Sequence, residues 1–398
     1  MVTGLEHLRG AVDEIMPGVV ADRRWLHQHP ELGYQEVETA AFVANRLEAI
    51  GIEDIRTGVG GTGVTAVIRG GLGEGKVVGL RADMDALPIL EENEVDYISL
   101  TPGTMHACGH DGHVSMLLGT ARMLSERRDQ FAGSVKLFFQ PAEEIGNGAS
   151  AMIRDGALDD LKPNAMFGIH LWNTLPVGNV YARVGPMMVG ADGFTITIHG
   201  KGGHGALPNL GIDPIVAAAA VINALQTIVS RTNNPIQPAV CTIGAIHAGQ
   251  ARNVIPDVVT MGGTLRFYDQ EQRLVMRQRL TELAESVAAA YGARAEVELE
   301  WGVGSTDNDP EMTAIVRECA AEVVGTENVP EGDVLMVSED MSEFLSRIPG
   351  CYFLVGSMNT KRGPTWGHHT SRFDIDEDAL GIGIETMTRT ALRYLATP

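Results

Sequence analysis

At 398 residues the chain is longer than one hydrophobic core usually serves, so two domains are expected, and a hydrophobic content of 44% is enough to build them. A formal charge of −21, with no run of Lys or Arg to concentrate a basic patch, argues against nucleic acid and anionic membrane surfaces as partners. Four cysteines, at 108, 241, 319 and 351, lack paired spacing and fit free thiols in a reducing, cytoplasmic setting better than a disulfide framework. The first residues carry Glu6, Arg9, Asp13 and Glu14 where a signal peptide needs an apolar run.

In chain order, residues 12–50 pattern as two helices around His27-Gln28-His29-Pro30-Glu31-Leu32-Gly33, the second with Ala40, Val43, Ala44, Leu47 and Ile50 at helical spacing before Gly51. His27 and His29 have ligand-like spacing, but beside Pro30 and Gly33 they are read as finishing a helix. Two β-rich runs follow, 63–69 and 76–81, the second emptying into Asp83-Met84-Asp85-Ala86-Leu87-Pro88. A helix over 113–125 precedes a strand over 134–140 that ends in Pro141-Ala142-Glu143-Glu144. A short helix near 150 and a strand over 165–169 delivering His170 continue the alternation. This order predicts an α/β sheet whose site lies along the edge where the strands end.

From about residue 187 to 301 the pattern changes. Phe194, Ile196 and Ile198 alternate with polar neighbours, a helix spans 213–230, strands lie near 239–248 and 258–268, a helix spans 270–291, and Ala295, Val297, Leu299 and Trp301 alternate again. The order β-α-β-β-α-β predicts a ferredoxin-like domain over 187–301, inserted into a larger domain formed by 1–186 and 302–398. Its apolar stretch 214–229 is broken by Asn223 and Gln226 and falls short of a membrane span. The chain closes with helices around 311–324 and after Ser338-Glu339-Asp340, a strand over 351–355, a loop with Pro364 and Gly367 carrying His368-His369, and a helix over 377–394.

The chemistry gathers on Met105-His106-Ala107-Cys108-Gly109-His110-Asp111-Gly112-His113. In an extended loop Cys108 and His110 leave the backbone on one side and can meet one ion, with Gly109 and Gly112 letting the chain turn. Cys108, His110, Glu144, His170 and one of His368 or His369 are too many for an ordinary tetrahedral structural site, and suit two ions that share a ligand and keep open positions. A thiolate mixed with imidazoles and carboxylates is compatible with Zn²⁺, Mn²⁺, Co²⁺ or Ni²⁺. Adjacent carboxylates in an extended segment point to opposite sides, so Glu144 can bind metal while Glu143 takes a proton from water.

These residues resemble the metal-dependent amidohydrolases that include hippurate hydrolase, N-acyl-amino-acid amidohydrolases and the plant hydrolases of indoleacetyl-amino-acid conjugates. The likeness runs through His29 to Gly33, Arg81 to Pro88, Met105 to His113, Gln140 to Glu144, Gly203-His204-Gly205-Ala206, Asn253-Val254-Ile255-Pro256-Asp257 and Gly263-Thr264-Leu265-Arg266. The resemblance implies an α/β catalytic domain of the zinc-aminopeptidase type with an inserted lid and dimerisation domain. It also implies a two-metal site with Cys108 bridging, His110, Glu144, His170 and His369 as the other ligands, and Glu143 as base. His369 is preferred to His368 because His369-Thr370-Ser371-Arg372-Phe373 follows the family pattern, although Ser371 stands where the family usually has Pro. Asp83 and Asp85 are expected to orient ligating imidazoles. The implied reaction is amide hydrolysis of a small N-acyl amino acid by a homodimer or dimer-based oligomer, with His204 holding the oxyanion and Asn253 touching substrate. A dipeptidase, a carboxypeptidase or a deacetylase of an N-acetylated biosynthetic intermediate would use the same machinery, whereas a metal-binding protein without catalysis would have no need of Glu143.

Overall fold

The computed structural model describes residues 7–361, 363 and 365–397, so Glu6 and Pro364 lie outside the described residues. The chain divides into two compact units, one comprising Met1–Met187, Asp307–Asp333 and Asp340–Pro398, the other Met188–Thr306 and Val334–Glu339.

The first unit is built on a seven-stranded mixed sheet in the order Ile55–Val59, Gly63–Arg69, Ser134–Gln140, Val77–Asp83, Ala165–Pro176, Gly350–Met358, Val180–Tyr181. The four strands from Ser134–Gln140 to Gly350–Met358 run parallel, and the flanking pairs are antiparallel. Every residue of Ser134–Gln140 is buried, including the polar Ser134, Lys136 and Gln140, as suits a strand covered on both faces. Helices Leu8–Gln28, His110–Ser125, Pro310–Val324 and Asp378–Ala396 pack against one another, and His110–Ser125 and Asp378–Ala396 also meet the sheet. The parallel strands end on one edge, where open α/β sheets place ligands. Asp83 and Gln140 sit level in the register at that edge.

The second unit has the order β-α-β-β-α-β, with a four-stranded antiparallel sheet arranged as Ala239–Ala248, Val258–Phe267, Gly190–His199, Arg294–Leu299. Gly190–His199 alternates buried and half-buried residues along its whole length, so one face is covered. Helices Pro214–Thr227 and Gln270–Ala290 cover it, each started by an aspartate side chain that accepts a backbone N–H, Asp213 from Ile215 and Asp269 from Gln272. The apolar stretch of the first helix continues through a π-turn to Thr232, and the 19 residues Pro214–Thr232 reach the length and hydropathy of a membrane span, longer than the sequence pattern suggested. Its Ala217, Ala218, Val221, Leu225 and Ile228 are buried in this unit's own core.

One buried charge ties the inner strand to the second helix. Asp192 accepts hydrogen bonds from Arg273 Nε at 3.0 Å and from an Arg277 terminal nitrogen at 2.7 Å, and both guanidinium groups stack on Trp301. Removing one partner of a buried ion cluster leaves uncompensated charge, at a cost of about 3 kcal/mol or more. Asp192→Ala should therefore lower the urea midpoint of this unit by that equivalent, and an unchanged midpoint would show the cluster to be energetically neutral.

Candidate active site

The expected extended loop through Cys108 and His110 is instead a helix start. Gly109, at φ 95°, is the N-terminal cap and His110 the first helical residue, so the predicted helix begins three residues early. Glycine reaches this left-handed conformation without a Cβ clash, and the tight turn, not strand alternation, brings Cys108 and His110 together. The positive end of the helix dipole then lies beside Cys108, where it favours a thiolate.

Hydrogen bonds fix the imidazoles. His110 Nδ1 donates to the Asp85 carbonyl at 2.8 Å and His170 Nδ1 donates to the Leu171 carbonyl at 2.6 Å, leaving both Nε2 lone pairs open. His170 Nε2 lies 3.5 Å from Cys108 Sγ. His113 is fully used, with Nδ1 on Asp83 at 2.6 Å and Nε2 accepting the Leu171 N–H at 2.8 Å. His368 is also used, its Nε2 donating to the Leu171 carbonyl at 3.0 Å. His369 instead faces the site, with Nε2 3.3 Å from Glu144 Oε1. Its backbone, at φ 61°, is held by an N–H donated to the Ala107 carbonyl. Ser371, where the family pattern has Pro, is tied to Glu92 through its carbonyl and its hydroxyl.

Glu143 and Glu144 occupy a turn, closed by Gly146 N–H to the Glu143 carbonyl, and not the extended segment expected. The turn starts from Ala142 at φ 53°, and both N–H groups are pinned by Asp85, Glu143 to Oδ1 and Glu144 to Oδ2, each at 3.0 Å. Asp83 thus holds His113, which is outside the expected ligand set, while Asp85 holds His110 by its main-chain carbonyl and the glutamate turn by its carboxylate. Cys108 lies with His110 and His170 in one group of potential ligands and with Glu144 and His369 in another, while Glu143 groups with His110 and Glu144, the ligand atoms of each group lying within 4.8 Å of one another.

The electrostatics favour a cation. Burial pushes the Cys108 thiol well above its ordinary range, and Glu144, Glu143 and Asp83 add to the rise. Burial opposes charge on His110 too, but Asp83, Asp85 and Glu144 outweigh it and push its pKa up to about 10, so positive charge is strongly favoured at that ring. His110 Nε2 and Glu144 Oε1 are buried without a hydrogen-bond partner among the described residues. Orphaned ligand atoms in a carboxylate-rich pocket fit divalent metal ions.

His204 and Asn253 lie together in the second unit. Gly203–His204 pairs with Val254–Ile255 in a short ribbon, and Gly205 N–H donates to the Asn253 carbonyl at 2.9 Å. His204 is exposed, and its Nδ1 accepts the Ala206 N–H at 3.0 Å, which leaves the ring proton on Nε2 when the imidazole is neutral.

A thiol, imidazoles and paired carboxylates brought within ligand distance of one another beside parallel strand ends define a metal-dependent hydrolase of amide bonds. The chain belongs to the peptidase family M20/M25/M40, whose pattern matches residues 79–393. It is similar to thermostable carboxypeptidase 2 of Saccharolobus solfataricus, 40% identical over 394 residues and 98% of each chain. It is also similar to N-acetyl-L-cysteine deacetylase of Bacillus subtilis, 43% identical over 91% of this chain and 84% of that one. Among solved structures, a dinuclear metal-binding peptidase of Bacillus subtilis aligns with a TM-score of 0.86 at 36% identity, covering 97% of this chain and 99% of the other.

Beneath the helix start lies a buried cluster that pattern reading left as a simple helix end. Arg23 Nε donates to Asp111 Oδ2 at 2.8 Å, and His27 meets Asp111 Oδ2 through Nδ1 at 2.8 Å and Glu91 Oε1 through Nε2 at 3.1 Å. His29, by contrast, stacks on Trp25. Burial and Arg23 pull the His27 pKa down, but Asp111 and Glu91 outweigh them and leave it raised. A raised folded pKa gives stability that is fully present below the unfolded value of about 6.5 and is lost as pH rises through the folded value. In metal-free protein, His27→Gln should therefore destabilise more at about pH 5.5 than at about pH 9, and equal losses would rule out a protonated His27.

Proposed function

We propose that the chain hydrolyses the amide bond of N-acyl amino acids, of the hippurate kind or related conjugates, releasing a carboxylic acid and an amino acid. One observation carries this reading: Cys108 is shared by two ligand groups, and Glu143 joins neither of them while lying against His110 and Glu144. We assign Cys108, His110, Glu144, His170 and His369 to hold two divalent ions with the thiolate in common, and Glu143 as general base. The mixed donor set suits Zn²⁺, Mn²⁺, Co²⁺ or Ni²⁺, and the similar Bacillus subtilis structure is described as binding two metals.

Divalent ions held by these residues would supply Lewis acidity for the scissile carbonyl and for water. Glu143 takes the proton of the attacking water and passes it to the leaving nitrogen, and His204 Nε2–H donates to the developing oxyanion. Asn253, beside His204, contacts the substrate. The unit around 188–306 serves as lid and dimerisation domain in a homodimer or dimer-based oligomer, with His204 acting on the partner's site. Four buried free cysteines support a cytoplasmic setting. The likeness to a carboxypeptidase supports a second reading, cleavage of a dipeptide or of a C-terminal peptide bond, and the likeness to a deacetylase supports a short acyl group. The same catalytic groups serve all of these, and only the pocket discriminates.

Product chromatography on hippurate, N-acetyl amino acids and unblocked peptides decides between them. Turnover of N-acyl amino acids that is lost on chelation is expected, whereas turnover confined to peptides would replace the first reading with the second. Within the site, Glu143→Gln should keep its metal and lose roughly 10² to 10⁴ in kcat. Glu144→Gln and Cys108→Ala should instead lose metal, measured as metal per chain. The opposite pattern would exchange the roles of the two glutamates.

A further inference from the structure

The turn that carries Glu143 and Glu144 begins at Ala142, whose φ of 53° lies in the left-handed region that alanine disfavours. Among the described non-glycine residues only Tyr34, Ala142 and His369 have positive φ, and the Tyr34 hydroxyl donates to the side chain of Asn147, the residue that follows this turn. Strained backbone persists only where its surroundings over-determine it. Three consecutive N–H groups are held by two buried carboxylates here, those of Glu143 and Glu144 by Asp85 and that of Ala142 by Glu36 Oε1 at 2.8 Å.

The Glu36 carboxylate is spared from capping its own helix. It stands at the N-terminal cap of helix Val37–Ala49 but makes no capping bond, because Glu31 accepts the N–H groups of Val37, Glu38 and Thr39. Its second oxygen accepts the Thr62 hydroxyl, which fixes the carboxylate plane. The segment leading to it presses on the same turn at Gly33, where a Cβ would come within 2.6 Å of Ile145 Cδ1 and 3.2 Å of Ala142 Cα. We propose that Glu36 is a positioning residue that locks Ala142 in its left-handed conformation and thereby sets the direction of the Glu143 carboxylate. The inference rests on the reading of Glu143 as the general base.

Three substitutions at Glu36 test this, assayed on whichever N-acyl amino acid the wild type turns over. Glu36→Gln keeps an acceptor at the same reach and should hold kcat within about twofold of wild type. Glu36→Ala removes it, and Glu36→Asp retracts it by one methylene. Both should lower kcat by roughly 10- to 100-fold, with KM and metal per chain unchanged. Adding Ala142→Gly to Glu36→Ala should recover part of kcat, because glycine takes positive φ without the Cβ penalty. Independently of activity, hydrogen–deuterium exchange in the metal-free protein should quicken in peptides covering 142–144 for Glu36→Ala and stay slow for Glu36→Gln. Wild-type kcat and exchange in Glu36→Asp would overturn the proposal, as would a Glu36→Gln indistinguishable from Glu36→Ala, or a kcat loss that merely follows loss of metal. Glu143→Gln separates the two levels. If it retains turnover, the reading of the base falls; if it is inactive while Glu36→Ala is not, only the positioning role falls.

Discussion

Gathering a thiol, three imidazoles and several carboxylates within ligand distance of one another, most of them buried, is the constraint to which the rest of the first unit answers. Desolvation disfavours every charge in that set, as the raised Cys108 thiol shows. Asp83 is nevertheless held well below the usual carboxylate range, burial being outweighed by His110, Arg81 and His113. Arg81 meets it at 2.8 Å and also reaches Asp340 at 3.1 Å. Divalent ions held by these residues would add positive charge to that of Arg81 and of the His110 ring.

Satisfying that constraint has shaped the backbone around the pocket. The parallel strands Val77–Asp83 and Ser134–Gln140 end level with one another, so the residues just beyond them, Asp85 and Glu143-Glu144, meet at one edge. Left-handed turns at Gly109, Ala142 and His369 then redirect the chain so that side chains separated by up to 261 positions in the sequence face one point. The main-chain carbonyls of Asp85 and Leu171 take Nδ1 of His110 and His170, so each of these two rings is held by one nitrogen while its Nε2 remains open. Positional precision of this order is what proton transfer by a fixed carboxylate requires.

Much of this was legible in the residues. Strands over 63–69, 134–140 and 239–248 could be read to the residue because their composition is strongly β-forming and bounded by turn residues. The β-α-β-β-α-β order of the second unit followed from alternation such as Phe194, Ile196 and Ile198. What escaped were features without a local signature. The helix start at His110 was hidden because His110, Asp111 and His113 look like a polar loop, and their burial comes from partners such as Arg23, 88 positions away in the chain. The turn at Glu143 was read as extended because alanine gives no sign of positive φ, unlike glycine. Glu36 was passed over because its partner is a backbone N–H 106 positions away, a pairing that leaves no pattern in spacing or composition.

Under the proposed function a thiolate from Cys108 would be shared by two metal ions in this pocket. Cobalt(II) titration of the metal-free protein, followed by the near-ultraviolet thiolate-to-metal charge-transfer band, tests it most directly, because that band reports a metal–sulfur bond whatever the substrate. The account predicts a band that grows until two equivalents are bound and that is missing from Cys108→Ala. Two equivalents bound without any such band, in a protein that regains activity, would contradict it.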